Sequence, residues 1–391
     1  MKYNFDKVID RSGTSAEKVE GLKHIWGRTD LIPLWVADMD FATAPFVTDA
    51  IRKRCENEVL GYTGKPDSYY NAIINWVKQR YDLIVTKEVI NFVPGIVPGI
   101  GMAMNCFTQK GDKVMIQPPV YHPFAWVTTR NERTLVTNPL KWENGMYRMD
   151  LDTFREQIKG CKLFILCNPH NPGGVVWTEA ELRAIADICY DEKVLVFSDE
   201  IHADLTLPPH THRPFATVSE KARMNSVTFM SPSKAFNMPG LSASHALIFN
   251  EDLRKRFRIY MDAGELDMGH VFAFLSVEAA YSHGTEWLDQ CLAYIQGNID
   301  FVDDFLKNHA PKIKAIRPGA SYLVWLDCRE LKLSQKDLNE FFVDKAHLAL
   351  NDGEMFGKEG IGFMRLNVAS PRCIIEKAMK QLADAYQLYI K

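Results

Sequence analysis

The stretch VTFMSPSKAFNMPG, residues 227–240, sets a single lysine, Lys234, behind an apolar run and two serines, Ser231 and Ser233. An amine on a turn beyond a buried segment is suited to covalent work, because it can condense with a carbonyl. Upstream, SDEIH brings Asp199, Glu200 and His202, and NPHNPGG brings Asn168, His170 and Asn171. PPVYHPF adds Tyr121, and PGIVPGIGMAM sets Gly95, Ile96 and Val97 at the start of an apolar helical stretch. The set offers an amine, an acid, an amide, an aromatic ring, hydroxyls and a helix N-terminus. Taken singly, each has a plainer reading. Gly95-Ile96-Val97 can be a tight turn, Asp199 a helix cap and Tyr121 a core residue. His170 and His202 can be structural histidines, and Asn-Pro and Pro-Gly are turn formers. Lys234 can be a surface lysine, although its apolar neighbours on both sides speak against that.

The elements that must position these groups read as strands and helices in alternation. KVMIQ (113–117), KLFILC (162–167), VLVFSDE (194–200), SVTFMS (226–231) and HALIFN (245–250) are continuous apolar runs, the pattern of strands covered on both faces. Between them TEAELRAIADICYDEK (178–193) has helical periodicity, with Thr178 placed to cap it and Glu181 three residues on. This predicts an α/β sheet with helices on both faces. Ligands of such sheets bind beyond the carboxyl ends of the strands, where the candidate residues fall. The C-terminal part differs: a long helix over about 286–308, then IKAIRPGASYLVWLDC, helix-like SQKDLNEFFVDKA, GIGFMRLNVA and a last helix from about Pro371. We read residues 1–45 as a segment packing with a small α+β domain at 286–391, and 46–285 as the large domain.

Composition narrows the class. At 391 residues with 47% hydrophobic and 24% charged residues, the chain can bury a large core in two domains. A net charge of −3 offers no basic surface for nucleic acid or an anionic membrane. The polar N-terminus MKYNFDKVIDRSG has no apolar core of a signal peptide, and no stretch is apolar enough to span a bilayer. The eight cysteines are scattered without CxxC spacing, so reduced, buried thiols, no metal and a cytoplasmic location are expected.

Taken together the candidate residues fit one cofactor, pyridoxal 5′-phosphate. It needs a lysine for its aldehyde, a carboxylate against its pyridine nitrogen, a donor to its 3′ oxygen and an aromatic ring on its face. Hydroxyls and a helix N-terminus suit its phosphate.

Asn171, Asp199 and Lys234, in the order N-P-x-N-P-x-G, strand aspartate, S-x-S-K, resemble the fold-type-I pyridoxal-phosphate enzymes of the aspartate aminotransferase superfamily. ADMDFATAP (37–45), GYTG (61–64) and FMRLN (363–367) extend the resemblance over essentially the whole chain. It implies a mostly parallel seven-stranded sheet in the large domain. It implies a homodimer in which Tyr62 reaches the phosphate of the neighbouring subunit's site, and Arg365 gripping the α-carboxylate of an amino-acid substrate with help from Ala37 and Asn171. Asn171 would also donate to the 3′ oxygen, and His202 would tune the same region. Lys234, Asp199 and Tyr121 would be the catalytic set.

Two departures select a branch. Ser242 stands eight residues after the lysine, where transaminases usually carry a phosphate-binding arginine, and His202 stands where tyrosine is common. With SDEIH and DMDFATAP, the chain looks most like the cystathionine β-lyase branch of the MalY/PatB type. The expected phosphate contacts then shift to Ser231, Ser233 and the amides of 95–97. The implied activity is α,β-elimination of L-cystathionine or related cysteine S-conjugates. The alternatives are class I/II aminotransfer and a mainly regulatory or binding role.

Overall fold

The continuous apolar runs become the central strands of a seven-stranded sheet in a computed structural model that describes residues 2–390. In chain order these are β1 (Ile90–Val93), β2 (Lys113–Ile116), β3 (Thr134–Thr137), β4 (Cys161–Cys167), β5 (Leu195–Asp199), β6 (Ser226–Met230) and β7 (Ser244–Leu247). Their order across the sheet is β1-β7-β6-β5-β4-β2-β3. Only β7 runs antiparallel to its neighbours; the other pairs are parallel. The sheet is mostly parallel, as expected.

Alternate residues of each central strand feed two separate cores. Leu163 and Ile165 face the helix α1 (Ile96–Phe107), where Ile100 and Met104 cover them. Phe164 and Leu166 face α2 (Glu179–Asp191), meeting Leu182, Ile185 and Cys189. Burial on both faces is why these strands read as unbroken apolar runs. The expected cap of α2 is formed: the Glu181 N–H donates to Thr178 Oγ1 at 3.2 Å, and the Thr178 N–H donates to Glu181 Oε2 at 2.8 Å.

The C-terminal part builds a four-stranded antiparallel sheet from β8 (Lys314–Ile316), β9 (Leu323–Asp327), β10 (Asn351–Asp352) and β11 (Phe363–Asn367), in the order β8-β9-β11-β10. The long helices α3 (Thr285–His309) and α4 (Arg372–Tyr389) pack on it. SQKDLNEFFVDKA divides into an α-helix, Gln335–Glu340, and a π-helical turn, Phe341–Lys345. The N-terminal segment contacts this part directly. Ile32–Pro33 pairs in parallel with Leu348–Ala349, and the Asn367 N–H donates to the Leu34 carbonyl at 2.9 Å. One apolar core runs from Phe5 and Phe41 through Phe274, Trp287 and Ile295 to Leu366 and Leu382, unbroken at the expected boundary near 285.

All eight cysteines are free thiols, but they are not all buried as expected. Cys55 ends the helix Pro45–Cys55, whose core-facing contact is Val47, and Cys373 sits in the first turn of α4; both are exposed. Cys106 is half-buried. Among the described residues no helix is long and apolar enough to cross a membrane.

Candidate active site

The carboxyl ends of β4, β5 and β6 converge on one cavity of about 270 Å³. Parallel pairing sets Cys167 beside Asp199 and Asp199 beside Phe229, so the loops leaving these strands emerge together. Asp199 is buried, and only one of its oxygens is engaged, accepting the Ile201 N–H at 3.1 Å. The other accepts no hydrogen bond among the described residues. Burial raises this carboxyl to about 7, and the neighbouring Glu200 charge adds to the rise. A buried acid short of partners is the complement of a cationic N–H donor.

Lys234 follows β6 on a turn closed by Phe236 N–H to the Pro232 carbonyl (3.0 Å) and Met238 N–H to the Ser233 carbonyl (2.9 Å). Its amine donates to the Ala37 carbonyl at 2.6 Å. Burial lowers it to about 8, opposed by the Asp38 charge. The segment that presents Ala37 is clamped from both sides. Asn367 Nδ2 donates to the Val36 and Asp38 carbonyls, each at 2.7 Å. Asn237, three residues after Lys234, accepts the Met39 N–H at 3.0 Å and donates to the Phe41 carbonyl at 2.7 Å. Below it, Lys18 is fully buried and pairs with Asp40 at 2.8 Å, and Arg11 pairs with Asp38 at 2.6 Å. Fixing this segment fixes the acceptor that holds the amine.

The N-terminus of α1 also lines the cavity. Gly95 has φ +113°, a conformation that side chains rarely adopt, and it starts the helix so that the first-turn amides of Ile96 and Val97 have no intrahelical acceptor. Such an N-terminus attracts an anion. Tyr121, Asn171, His202 and Ser233 also line the cavity. Asn171 accepts from Arg365 Nη1 at 3.0 Å, and its Nδ2 makes no hydrogen bond among the described residues, so that donor is free. Burial holds His202 neutral, down to about 3.

The cavity thus gathers Ala37, Gly95, Ile96, Val97, Tyr121, Asn171, Asp199, His202, Ser233 and Lys234. Three other candidates lie elsewhere. Ser231 is turned inward, donating to the Ala243 carbonyl at 2.7 Å and accepting the Ser233 N–H at 3.1 Å. Arg365 stands behind Asn171, buried, with its guanidinium 4.8 Å from the Phe356 ring; burial lowers it to about 10. Tyr62 is fully exposed, on a separate cleft between 60–65 and 267–271. Three positions were not anticipated as site residues. Tyr322 donates its hydroxyl to the Ala37 carbonyl at 2.9 Å, Asn351 accepts from Arg365, and Ser242 lines the cavity in a left-handed conformation with φ 48°. Ser242 carried a signal as the departure from arginine; Tyr322 lies in an apolar stretch and Asn351 just after one, with no motif to mark them.

The residues fit pyridoxal phosphate. Lys234 is placed for the aldehyde, Asp199 for the ring nitrogen, Tyr121 for the ring face, Asn171 for the 3′ oxygen, and the Ile96 and Val97 amides with Ser233 for the phosphate; contrary to expectation the Gly95 amide is already engaged, donating to the Val93 carbonyl at 2.9 Å.

Residues 29–382 match the family described as aminotransferase class I and II. The cystathionine beta-lyase PatB of Bacillus subtilis (strain 168) is 38% identical over 384 residues, covering 98% of this chain and 99% of its own. Cystalysin from Treponema denticola, whose structure contains pyridoxal 5′-phosphate, superposes with a TM-score of 0.96 at 33% identity, covering 100% of both chains. The PLP-bound C-S lyase from Staphylococcus hominis superposes with a TM-score of 0.91 at 35% identity, covering 98% of each chain.

Proposed function

The chain belongs to the aminotransferase class I and II family, and from that premise we propose that it is a pyridoxal-phosphate-dependent carbon–sulfur β-lyase. Its substrates are L-cystathionine or related L-cysteine S-conjugates. The Cα proton is removed, the Cβ–S bond breaks and the sulfur leaves as a thiol; water then releases pyruvate and ammonia from the remaining fragment.

The chemistry supplied by the bound cofactor is an electron sink for the pair left at Cα. The chain's own groups do the rest. Arg365 binds the substrate carboxylate, a role for which a guanidinium is better shaped than an ammonium. Lys234, with its amine value already near neutrality, takes the Cα proton at Nζ. Asp199 keeps the pyridine nitrogen protonated, Asn171 donates to the 3′ oxygen, and Tyr121 covers the ring. Ser233 and the amides of Ile96 and Val97 hold the phosphate. In this reading the protein is a cytoplasmic homodimer, and each exposed Tyr62 serves the site of the other copy.

The observation that carries the reading is the cation inventory of the cavity. Among the described residues lining it, Lys234 is the only lysine or arginine, in a cavity that also holds Asp199 and a helix N-terminus. With Arg365, behind Asn171, taken up by the α-carboxylate, the lining offers no further cation for the second carboxylate of the dicarboxylates that many transaminases handle, and this agrees with the likeness to C–S lyases along the chain's length. Incubation with L-cystathionine and no keto acid tests it. Stoichiometric thiol and pyruvate support the lyase; turnover only after a keto acid is added replaces it with aminotransfer.

A further inference from the structure

Arg365 is a buried cation without a carboxylate partner among the described residues. Three of the five N–H donors of a guanidinium are engaged, all by neutral acceptors: Asn171 Oδ1 at 3.0 Å, Asn351 Oδ1 at 2.5 Å and the Trp35 carbonyl at 3.2 Å. The Nε donor is buried with no partner at all. Buried charges are ordinarily paired, because an uncompensated one is costly to keep from water.

The acceptor nearest the charge is Asn351. It is paired with Arg365 across β10 and β11, so the two side chains lie on adjacent strands at one register. It is itself buried, and its Nδ2 lies 3.3 Å from Met355 Sδ, which turns Oδ1 toward the guanidinium. An aspartate here would have the same shape, and it would replace a neutral acceptor by a carboxylate matched to the guanidinium. It would also compete with any carboxylate arriving from the cavity.

We propose that Asn351 is a positioning residue for substrate recognition: its neutral amide oxygen aims Arg365 while leaving the positive charge for the α-carboxylate of the substrate. The inference rests on the reading of Arg365 as the carboxylate site. It predicts that neutrality at position 351, not the packing of the amide, sets the affinity.

The test uses the holoenzyme and L-alanine, an amino acid with no leaving group on Cβ, titrated by the change in visible absorbance. Asn351→Asp should weaken L-alanine binding at least about tenfold, as expected when a charge-assisted pair blocks the site. Its KM for L-cystathionine should rise by a similar factor, with kcat within about threefold. Asn351→Ala, which loses the aim but not the charge, should cost only about two- to fivefold, the net worth of a typical hydrogen bond, because Arg365 keeps its bonds to Asn171 and Trp35. Asn351→Ser, a neutral acceptor, should recover part of that loss, and this arm decides the matter if the aspartate variant does not fold. The proposal is overturned if Asn351→Asp binds L-alanine within twofold of the parent, if Asn351→Ala is the worse of the two, or if Asn351→Ser is no better than Asn351→Ala. Failure of the underlying reading looks different: the parent and Arg365→Ala then bind L-alanine alike, and the role of Asn351 falls with it.

Discussion

Two regions meet at Asn171, and they handle charge in opposite ways. At the strand ends of the large sheet, Asp199 is raised to about 7 and Lys234 is lowered to about 8, each pushed toward its neutral form by burial. In the small sheet Arg365 is as deeply enclosed, yet at about 10 it keeps its charge at neutral pH, held by amides and a carbonyl. The first region is short of partners and is completed by a cofactor. The second is supplied with partners of no charge and is completed by an anion. Topology follows the same division. Loops leaving parallel strands bring several residue types to one edge, whereas an antiparallel strand brings one side chain, and its neighbours must aim it.

The comparison can be broken most sharply at Lys234. Lys234→Ala should abolish the visible absorbance of the bound cofactor and lower turnover by about 10³-fold or more, the scale of a lost base and covalent anchor. Absorbance identical to the parent would remove the cofactor assignment. Next, Arg365→Ala should raise KM by about 10- to 100-fold, the range for losing charge-assisted hydrogen bonds, while the cofactor absorbance stays as in the parent. Loss of absorbance there would mean that the two regions are not separable.

A third measurement reads the shifted amine. Because burial lowers Lys234, its neutral, reactive fraction grows as pH rises and saturates above about 8. Cofactor uptake by the apo-protein should therefore accelerate about tenfold between pH 7 and 9 and then level off; an unshifted lysine would keep accelerating past pH 10. The smallest effect is expected from Tyr322→Phe. It removes one of the two donors on the Ala37 carbonyl, and it should reduce kcat/KM by about two- to fivefold, one neutral hydrogen bond's worth. A hundredfold loss would place the tyrosine in the chemistry itself.

How much of this was legible in the sequence depended on the kind of constraint. Strands β4, β5 and β6 were plain because burial on both faces forces continuous apolar runs. Strand β3 (TLVT) was not, because at the sheet edge its two outer residues are exposed and its inner two only half-buried. The residues that act on a ligand, Lys234 and Asn171 in turns and Asp199 at the end of an apolar strand, sit where their types are out of place, and that made them visible. Residues that act on other residues left no such trace. Tyr322 looks like a core position of an apolar stretch and Asn351 like the start of a turn, and only the pairing of β10 with β11 shows whom Asn351 serves. Ser231 misled in the other direction: its hydroxyl stands beside the lysine in sequence, but the turn needs it to hold the Ala243 carbonyl.

The clamp on Val36 and Asp38 has a consequence for how the protein is made. Asn367 reaches back 331 and 329 positions to grasp those carbonyls. At translation rates of about 5–20 residues per second, roughly 15 to 65 s separate the emergence of the two partners. During that interval Met39 and Phe41, which end up almost fully enclosed, must wait for later parts of the chain, among them Cys291 and Tyr294 of α3, which pack against them. Contacts so distant along the chain form slowly. This stretch thus leaves the ribosome long before the residue that places it, and for that period it is open to chaperones and proteases.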